Sequence, residues 1–256
     1  MMETRILVLG GTAQARRLAE QLTELGVPVV SSLAGRVRDP KRPAGEVRVG
    51  GFGGAQGLGE YLCSEGITAV VDATHPFATG ISANAVVAAR ERGVELLVLR
   101  RAPWSPGPED DWRSVRSLAE AAETVRRLGS RVLLTTGRQG LHHFAGIDHV
   151  WFLVRTVDAP EPPLPPRTTT LSARGPFDAD AERELLRNND IDLLVSKNSG
   201  GTMTEGKLVA ARELGVPVVM VEQPPPPRAP VVSEVEEALE WLRKRTGPFT
   251  RDNAGE

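Results

Sequence analysis

The feature that most restricts the fold is an alternation: short continuous runs of Val, Leu and Ile recur between stretches with helical spacing. The series opens with "RILVLG", the helical "TAQARRLAEQLTELG", "VPVVSS" and "EVRV". It continues with the helix "GLGEYLCSEG", the strand "TAVVDA", a helix from about Phe77 to Arg92, and "VELLVLR". A strand that is apolar at every position is buried on both faces, and the helices between such strands supply the cover. The pattern predicts a parallel sheet with helices on both sides, joined by right-handed crossovers.

The rhythm breaks at "RRAPWSPGPEDDW", Arg100 to Trp112, where three prolines and an acidic cluster read as a linker. It then resumes. Ser117 with Glu120 predicts a capped helix to Leu128, and "RVLLTTG", "HVWFLVRTV" and "TTTLSA" read as strands, with a stiff "PEPPLPP" between the last two. A helix near Asp178 to Asn189 leads to "IDLLVS", a further helix and "VPVVMVE". "QPPPPRAP" reads as a spacer, and Ser233 with Glu236 as the cap of a closing helix to about Arg245.

An internal echo points to two similar halves. "VAARERGV" (Val87 to Val94) and "VAARELGV" (Val209 to Val216) agree at seven of eight positions, 122 residues apart. Each copy follows an apolar strand and a polar turn, and each precedes another strand. The expected fold class is therefore α/β, with two Rossmann-like lobes, each a mostly parallel sheet flanked by helices, and a cleft between them. The expected boundaries are 1–101 and 113–246, followed by a disordered tail at 247–256. In such sheets ligands bind beyond the carboxyl ends of strands. The turns "THPFATG" and "SKNSGGT" both occupy strand ends and are expected to face one cleft.

Charge and composition exclude several classes. With 31 basic and 33 acidic residues the net charge is −2, so no basic field marks a nucleic-acid binder. A single cysteine, Cys63, and four histidines in no ligand spacing supply neither a disulfide framework nor a metal site. There is no basic-then-apolar leader and no apolar run of about 18 residues, so a cytoplasmic protein without membrane contact is expected. The 27 arginines against 4 lysines fit a GC-rich coding sequence, which leaves Lys197 and Lys207 conspicuous.

Candidate site residues cluster at the strand ends. In "LVLGGTAQARRLA", Gly10 and Gly11 would let a phosphate approach the backbone, and the helix beyond Thr12 favours an anion. The spacing is G-G-T-x-x-A rather than G-x-G-x-x-G, so a purely structural turn fits as readily. After the second strand no acid stands ready for a ribose 2′-OH. Ser31, Ser32, Arg36 and Arg38 stand there instead, which suits the 2′-phosphate of NADPH; the alternative is that Arg36 is a solvated loop charge. In "DATHPFA", His75 is stiffened by Pro76, and Asp72, ending an apolar strand, needs a partner.

Gly201 to Lys207 spells G-x-x-x-x-G-K, but Leu208 stands where a phosphate-binding loop needs a hydroxyl for Mg²⁺. Thr202 to Glu205 reads instead as a capping box, with a helix from about Met203. Before it, Lys197, Asn198, Ser199, Gly200, Gly201 and Thr202 form a donor set without acids, suited to carboxylate or phosphate; the alternative is a capped helix with Lys197 snorkelling out to solvent. "TTGRQGL" adds Thr135, Thr136 and Arg138, with a solvated loop as the alternative. No Ser-His-Asp set or hydrolytic carboxylate pair is present.

Taken in order, "GGTAQA", "DATHPFATGISANA", "TTGRQGL" and "KNSGGTMTEGKLVAARELGVPVVMVEQP" resemble the precorrin-6A reductases of cobalamin biosynthesis, over roughly Ile6 to Pro224. The resemblance implies NADPH-dependent reduction of a ring double bond in the tetrapyrrole precorrin-6A, giving precorrin-6B. It implies that Gly10, Gly11, Thr12, Ser32 and Arg36 hold NADPH, with Thr74 and His75 beside the nicotinamide. It places Lys197, Asn198, Ser199, Gly200, Gly201, Thr202 and Arg138 toward the tetrapyrrole. His75 and Lys197 are the catalytic candidates, and the proton source stays open among His75, Lys197 and a water. A dinucleotide sensor and a tetrapyrrole methyltransferase are the competing readings. No partner chain is implied, and a monomer is the simplest expectation.

Overall fold

The computed structural model describes residues 4–35, 42–247 and 249. The first five strands and three helices are β1 (Ile6–Leu9), α1 (Ala13–Glu24), β2 (Val29–Leu33), β3 (Glu46–Val49), α2 (Ala55–Ser64), β4 (Ala69–Asp72), α3 (Thr79–Arg92) and β5 (Glu95–Leu99). The middle of the chain forms β6 (Trp112–Val115), α4 (Leu118–Leu128), β7 (Arg131–Leu134), β8 (Trp151–Thr156), β9 (Thr168–Ser172), α5 (Ala179–Asn188), β10 (Leu193–Lys197), α6 (Gly206–Leu214) and β11 (Val218–Val221). Last come β12 (Val231–Val232) and α7 (Val235–Thr246).

Two compact units result. One comprises residues up to Arg101 together with those from Pro224 onward, and the other is Ala102–Gln223. Each contains one six-stranded sheet, ordered β12-β5-β4-β1-β2-β3 in the first and β6-β11-β10-β7-β8-β9 in the second. Every pairing is parallel. The α/β class and the doubled Rossmann-like pattern expected from sequence are both realised.

Superposing the two orders matches β1 to β5 with β7 to β11. The sixth strand of each sheet breaks the succession. The strand that follows β5 in the chain is β6, and it pairs with β11. The strand that follows β11 is β12, and it pairs with β5. The helix after each swapped strand goes with it. Thus α7 covers the first sheet, with Val235, Ala238, Leu239 and Leu242 packed among Ala69, Val71, Leu97 and Leu99. Its i, i+3, i+4, i+7 spacing presents a single apolar stripe, and α1 offers the same stripe through Ala15, Leu18, Ala19 and Leu22.

The repeated octapeptide is one device used twice. Ala88 and Ala89 of α3, and Ala210 and Ala211 of α6, are all buried. Gly93 and Gly215 end these helices with φ of 65°, a left-handed conformation that glycine adopts without a Cβ clash. The amides of Val94 and Val216 then return to Ala89 O and Ala211 O, at 2.9 and 2.8 Å.

Four expectations need correction. The segment Arg100 to Trp112 was expected as linker up to its last residue, yet Trp112 opens β6. The expected second lobe, 113–246, loses β12 and α7 to the first unit. These two strands escape a pattern search because β6 is a half-exposed edge and β12 is two residues long. The cap of α7 is Glu234, whose partner in a capping box is Glu237, rather than Ser233 with Glu236. Finally, the capping box at Thr202 does not form. Thr202–Thr204 is a 3₁₀ turn and α6 starts at Gly206 with no side-chain cap. Gly206 is dictated by packing, since a Cβ there would lie 2.5 Å from Phe177 O. Phe177 is itself held under the Arg155 guanidinium, 4.0 Å from its ring, and Arg155 pairs with the buried Glu182. Of the expected tail, residues 248 and 250–256 lie outside the described residues.

If α7 belongs to the first core, trimming its apolar stripe must weaken that core. Leu242→Ala is expected to lower the unfolding free energy by about 2–5 kcal/mol, measured by urea denaturation. A loss below about 0.5 kcal/mol, the scale of surface changes, would contradict this packing.

Candidate active site

In the first unit the carboxyl ends of β1, β2 and β4 bring most of the predicted residues together. Gly10 N donates to Ser32 O at 2.9 Å, joining the end of β1 to that of β2. A Cβ on Gly10 would touch Leu33, Ser32 O and Ala15 at 3.4–3.7 Å, so the turn is closely packed beneath. Gly11 differs: its φ is 109°, and a Cβ there would meet nothing within 4 Å among the described residues. Thr12 caps α1 by accepting from Ala15 N at 3.1 Å, and its hydroxyl donates to Ala73 O at 2.7 Å. That buried hydroxyl ties the β1 turn to the β4 turn.

The remaining first-turn amides of a helix have no partner inside it, and the first turn of α1 carries no acid. An open glycine turn leading to an acid-free helix start fits a diphosphate. Ser32 stands at the end of β2 as expected. Arg36 lies outside the described residues.

At the end of β4, Asp72 is buried and accepts from Thr74 N at 3.1 Å and Thr74 Oγ1 at 2.7 Å. Thr74 is thereby fixed. His75 is exposed, and its Nδ1 accepts from Phe77 N at 3.3 Å. An accepting Nδ1 puts the proton of the neutral ring on Nε2. Arg100, at the end of β5, donates to Pro224 O. Burial pulls its guanidinium below the usual value, and the Asp72 carboxylate opposes that pull. Asp72, Thr74, His75, Ser82 and Arg100 line a shallow, open depression.

In the second unit the predicted donors gather at the ends of the neighbouring strands β7 and β10. Ser199 N bonds back to Lys197 O at 2.8 Å, and Gly200 and Gly201 follow at φ 64° and 79°. Asn198 is turned inward: its Oδ1 accepts from Trp104 N at 2.7 Å and its Nδ2 donates to Trp104 O at 2.9 Å. Trp104 Nε1 donates to Gly201 O at 3.1 Å. One tryptophan thus clamps the whole turn, and Lys207, buried with Nζ bonded to Thr204 O, lies 4.9 Å from its ring. Burial pulls the Lys197 ammonium below its usual value. After β7, Thr135 Oγ1 donates to Val195 O, and Gly137 opens the turn before Arg138. The Thr136 hydroxyl is buried without a hydrogen-bond partner among the described residues.

Two residues at these strand ends escaped the sequence reading. Trp104 sat in a proline-rich stretch treated as linker, although an aromatic there is itself a signal. Arg48 on β3 stands opposite Ser32 in register, and pairing "EVRV" with "VVSSL" would have found it. Among the described residues, no group of three His, Cys, Asp or Glu side chains could hold a metal ion, and no helix is long and apolar enough to cross a membrane.

Comparison with known proteins places this geometry. The family model described as "Precorrin-6x reductase CbiJ/CobK" matches residues 5–243. A precorrin-6A reductase of Rhodococcus erythropolis is 53% identical over 97% of this chain and 99% of its own. One from Mycobacterium tuberculosis is 50% identical over 93% and 97%. A cobalt-precorrin-6A reductase of Priestia megaterium is 29% identical over 94% and 99%. The solved structure of CobK precorrin-6A reductase superposes with a TM-score of 0.90 at 43% identity, covering 95% of this chain and 98% of that one. The chain belongs to the precorrin-6x reductase CbiJ/CobK family.

Proposed function

We propose that this chain reduces a carbon–carbon double bond of the tetrapyrrole precorrin-6A in cobalamin biosynthesis, with NADPH as the reductant, in the cytoplasm and as a monomer. Identity over nearly the full length to precorrin-6A reductases supports the reaction. The lower identity to cobalt-precorrin-6A reductases favours a metal-free substrate. The observation that carries the choice of nucleotide is the end of β2, where Ser31 and Ser32 stand in place of an acid.

When bound, NADPH supplies a hydride, and one proton completes the reduction. Gly10, Gly11 and the start of α1 hold the diphosphate, and Thr12 keeps that turn in register with the β4 turn. Thr74, fixed by Asp72, lines the nicotinamide end. His75, exposed next to Thr74, is the proton donor to be tested first. Lys197, Arg138 and the backbone amides of Ser199 to Thr202 bind substrate carboxylates, while Asn198 shapes the turn through Trp104. Fixed donors contribute by orientation, since they are in place before the substrate arrives.

Anaerobic mixing with NADPH and precorrin-6A is expected to lower nicotinamide absorbance in step with a change in the macrocycle spectrum. Binding of S-adenosylmethionine without NADPH oxidation would favour the methyltransferase reading, and NADPH binding without oxidation the sensor. Lys197→Ala is expected to weaken kcat/KM by roughly 10- to 100-fold, the scale of one hydrogen bond to a charged group, with NADPH affinity unchanged. Unaltered steady-state constants would refute its role.

The partly buried Lys197 ammonium also leaves a mark on stability. Because its folded pKa lies below the usual 10.5, the unfolded chain holds more protons at this site in the alkaline range under 10.5. Raising the pH through that range therefore favours the folded state. Measured by urea denaturation against Lys197→Met, the wild type is expected to gain relative stability as pH rises toward 10.5. A constant difference would mean that the folded site compensates the charge fully.

A further inference from the structure

Arg48 lies in the same row of the first sheet as the proposed nucleotide turn. Leu9 is in register with Ser32, and Ser32 with Arg48. The Arg48 guanidinium is held by backbone and aromatic groups: Nη1 donates to Gly50 O at 2.7 Å, Nη2 donates to Gly51 O at 2.7 Å, and its Cζ lies 3.8 Å from the centre of the Phe52 ring. Nη1 also stands 3.5 Å from Ser32 Oγ. Among the described residues no carboxylate forms an ion pair with Arg48. A half-buried cation with no carboxylate partner among the described residues favours an anion from outside.

Space and reach agree with that. Among the described residues, a Cβ placed on Gly50, Gly51, Gly53 or Gly54 would meet nothing within 4 Å. A guanidinium offers five N–H donors, and the contacts to Gly50, Gly51 and Ser32 occupy three of them. Leu9, the residue before the Gly10–Gly11 turn, is two strand spacings from Arg48, roughly 10 Å. That is the reach from a dinucleotide's diphosphate to the far side of its adenosine ribose.

We propose that Arg48, together with the Ser32 hydroxyl, binds the 2′-phosphate of the nucleotide and sets the preference for NADPH over NADH. This rests on the nucleotide reading given above. Phe52 and the two glycine carbonyls preset the guanidinium, so little side-chain freedom is lost when the phosphate arrives.

The test is ligand binding by calorimetry, with a thermal melt of each unliganded protein as a check of folding. Wild type, Arg48→Gln, Arg48→Lys and Ser32→Ala are titrated with 2′,5′-ADP, ADP, NADPH and NADH. Wild type is expected to prefer the 2′-phosphorylated member of each pair. Arg48→Gln is expected to lose roughly 10- to 100-fold on 2′,5′-ADP and NADPH with ADP and NADH unchanged. Arg48→Lys should recover part of that loss, because the charge remains while the planar fork is gone. Equal weakening toward all four ligands would make Arg48 a staple of its own loop and overturn the assignment. A retained preference in Arg48→Gln would overturn it as well, leaving NADPH as the reductant. No preference in the wild type would remove both the assignment and the choice of NADPH.

Discussion

Both faces of each sheet must be covered, and the rest of the architecture follows from that. In β1, Ile6 and Val8 pack into the cluster beneath α1 and α7, while Leu7 and Leu9 pack into the cluster formed with α2 and α3. All four are at most 1% exposed. No position along such a strand can carry a polar side chain without burying it, and an unpaired buried polar group is costly. Chemistry is thereby pushed to the strand ends, where backbone amides and short turns meet water. Covering the α1 face also requires a second helix, and the chain supplies α7 only after completing the other unit.

At both edges, several groups that resemble ligand donors are used to shape the turn. Thr12 spends its hydroxyl on Ala73 O, Thr74 on Asp72, and Asn198 both of its polar atoms on Trp104. What these bonds hold in place is the open Gly11 turn and the backbone around Gly200 and Gly201. The division is physically sensible. Hydrogen bonds made inside the protein hold the turn at fixed geometry, so that ligand binding does not have to order it.

Much of this was legible from sequence, and the exceptions have physical causes. Continuous apolar runs such as Ile6–Leu9 and Leu193–Val195 declare themselves, and so does the octapeptide whose alanine pair and glycine cap recur in α3 and α6. Cap prediction succeeded at Ser117, whose side chain accepts from Glu120 N. It failed at Thr202, because the glycine-tight packing of Gly206 against Phe177 sets where α6 starts, and Phe177 is distant in sequence. β12 is too short to carry a period. Its partner is set by the apolar face that α7 must cover, a constraint that arises only in three dimensions. Arg48 and Trp104 were missed for a related reason: each acquires meaning from a residue on another segment, Ser32 in one case and Asn198 in the other.

The returning β12–α7 pair has a consequence for biosynthesis. A chain emerging from the ribosome presents β1 to β5 first, yet that sheet still lacks its edge strand and one of its roofing helices. The contiguous stretch Ala102–Gln223 is translated later and has all of its strands when Gln223 emerges. The half whose synthesis begins first is therefore the half completed last. Until Leu239 and Leu242 have left the exit tunnel, Leu97 and Leu99 remain uncovered, a transiently sticky surface of the kind that chaperones hold.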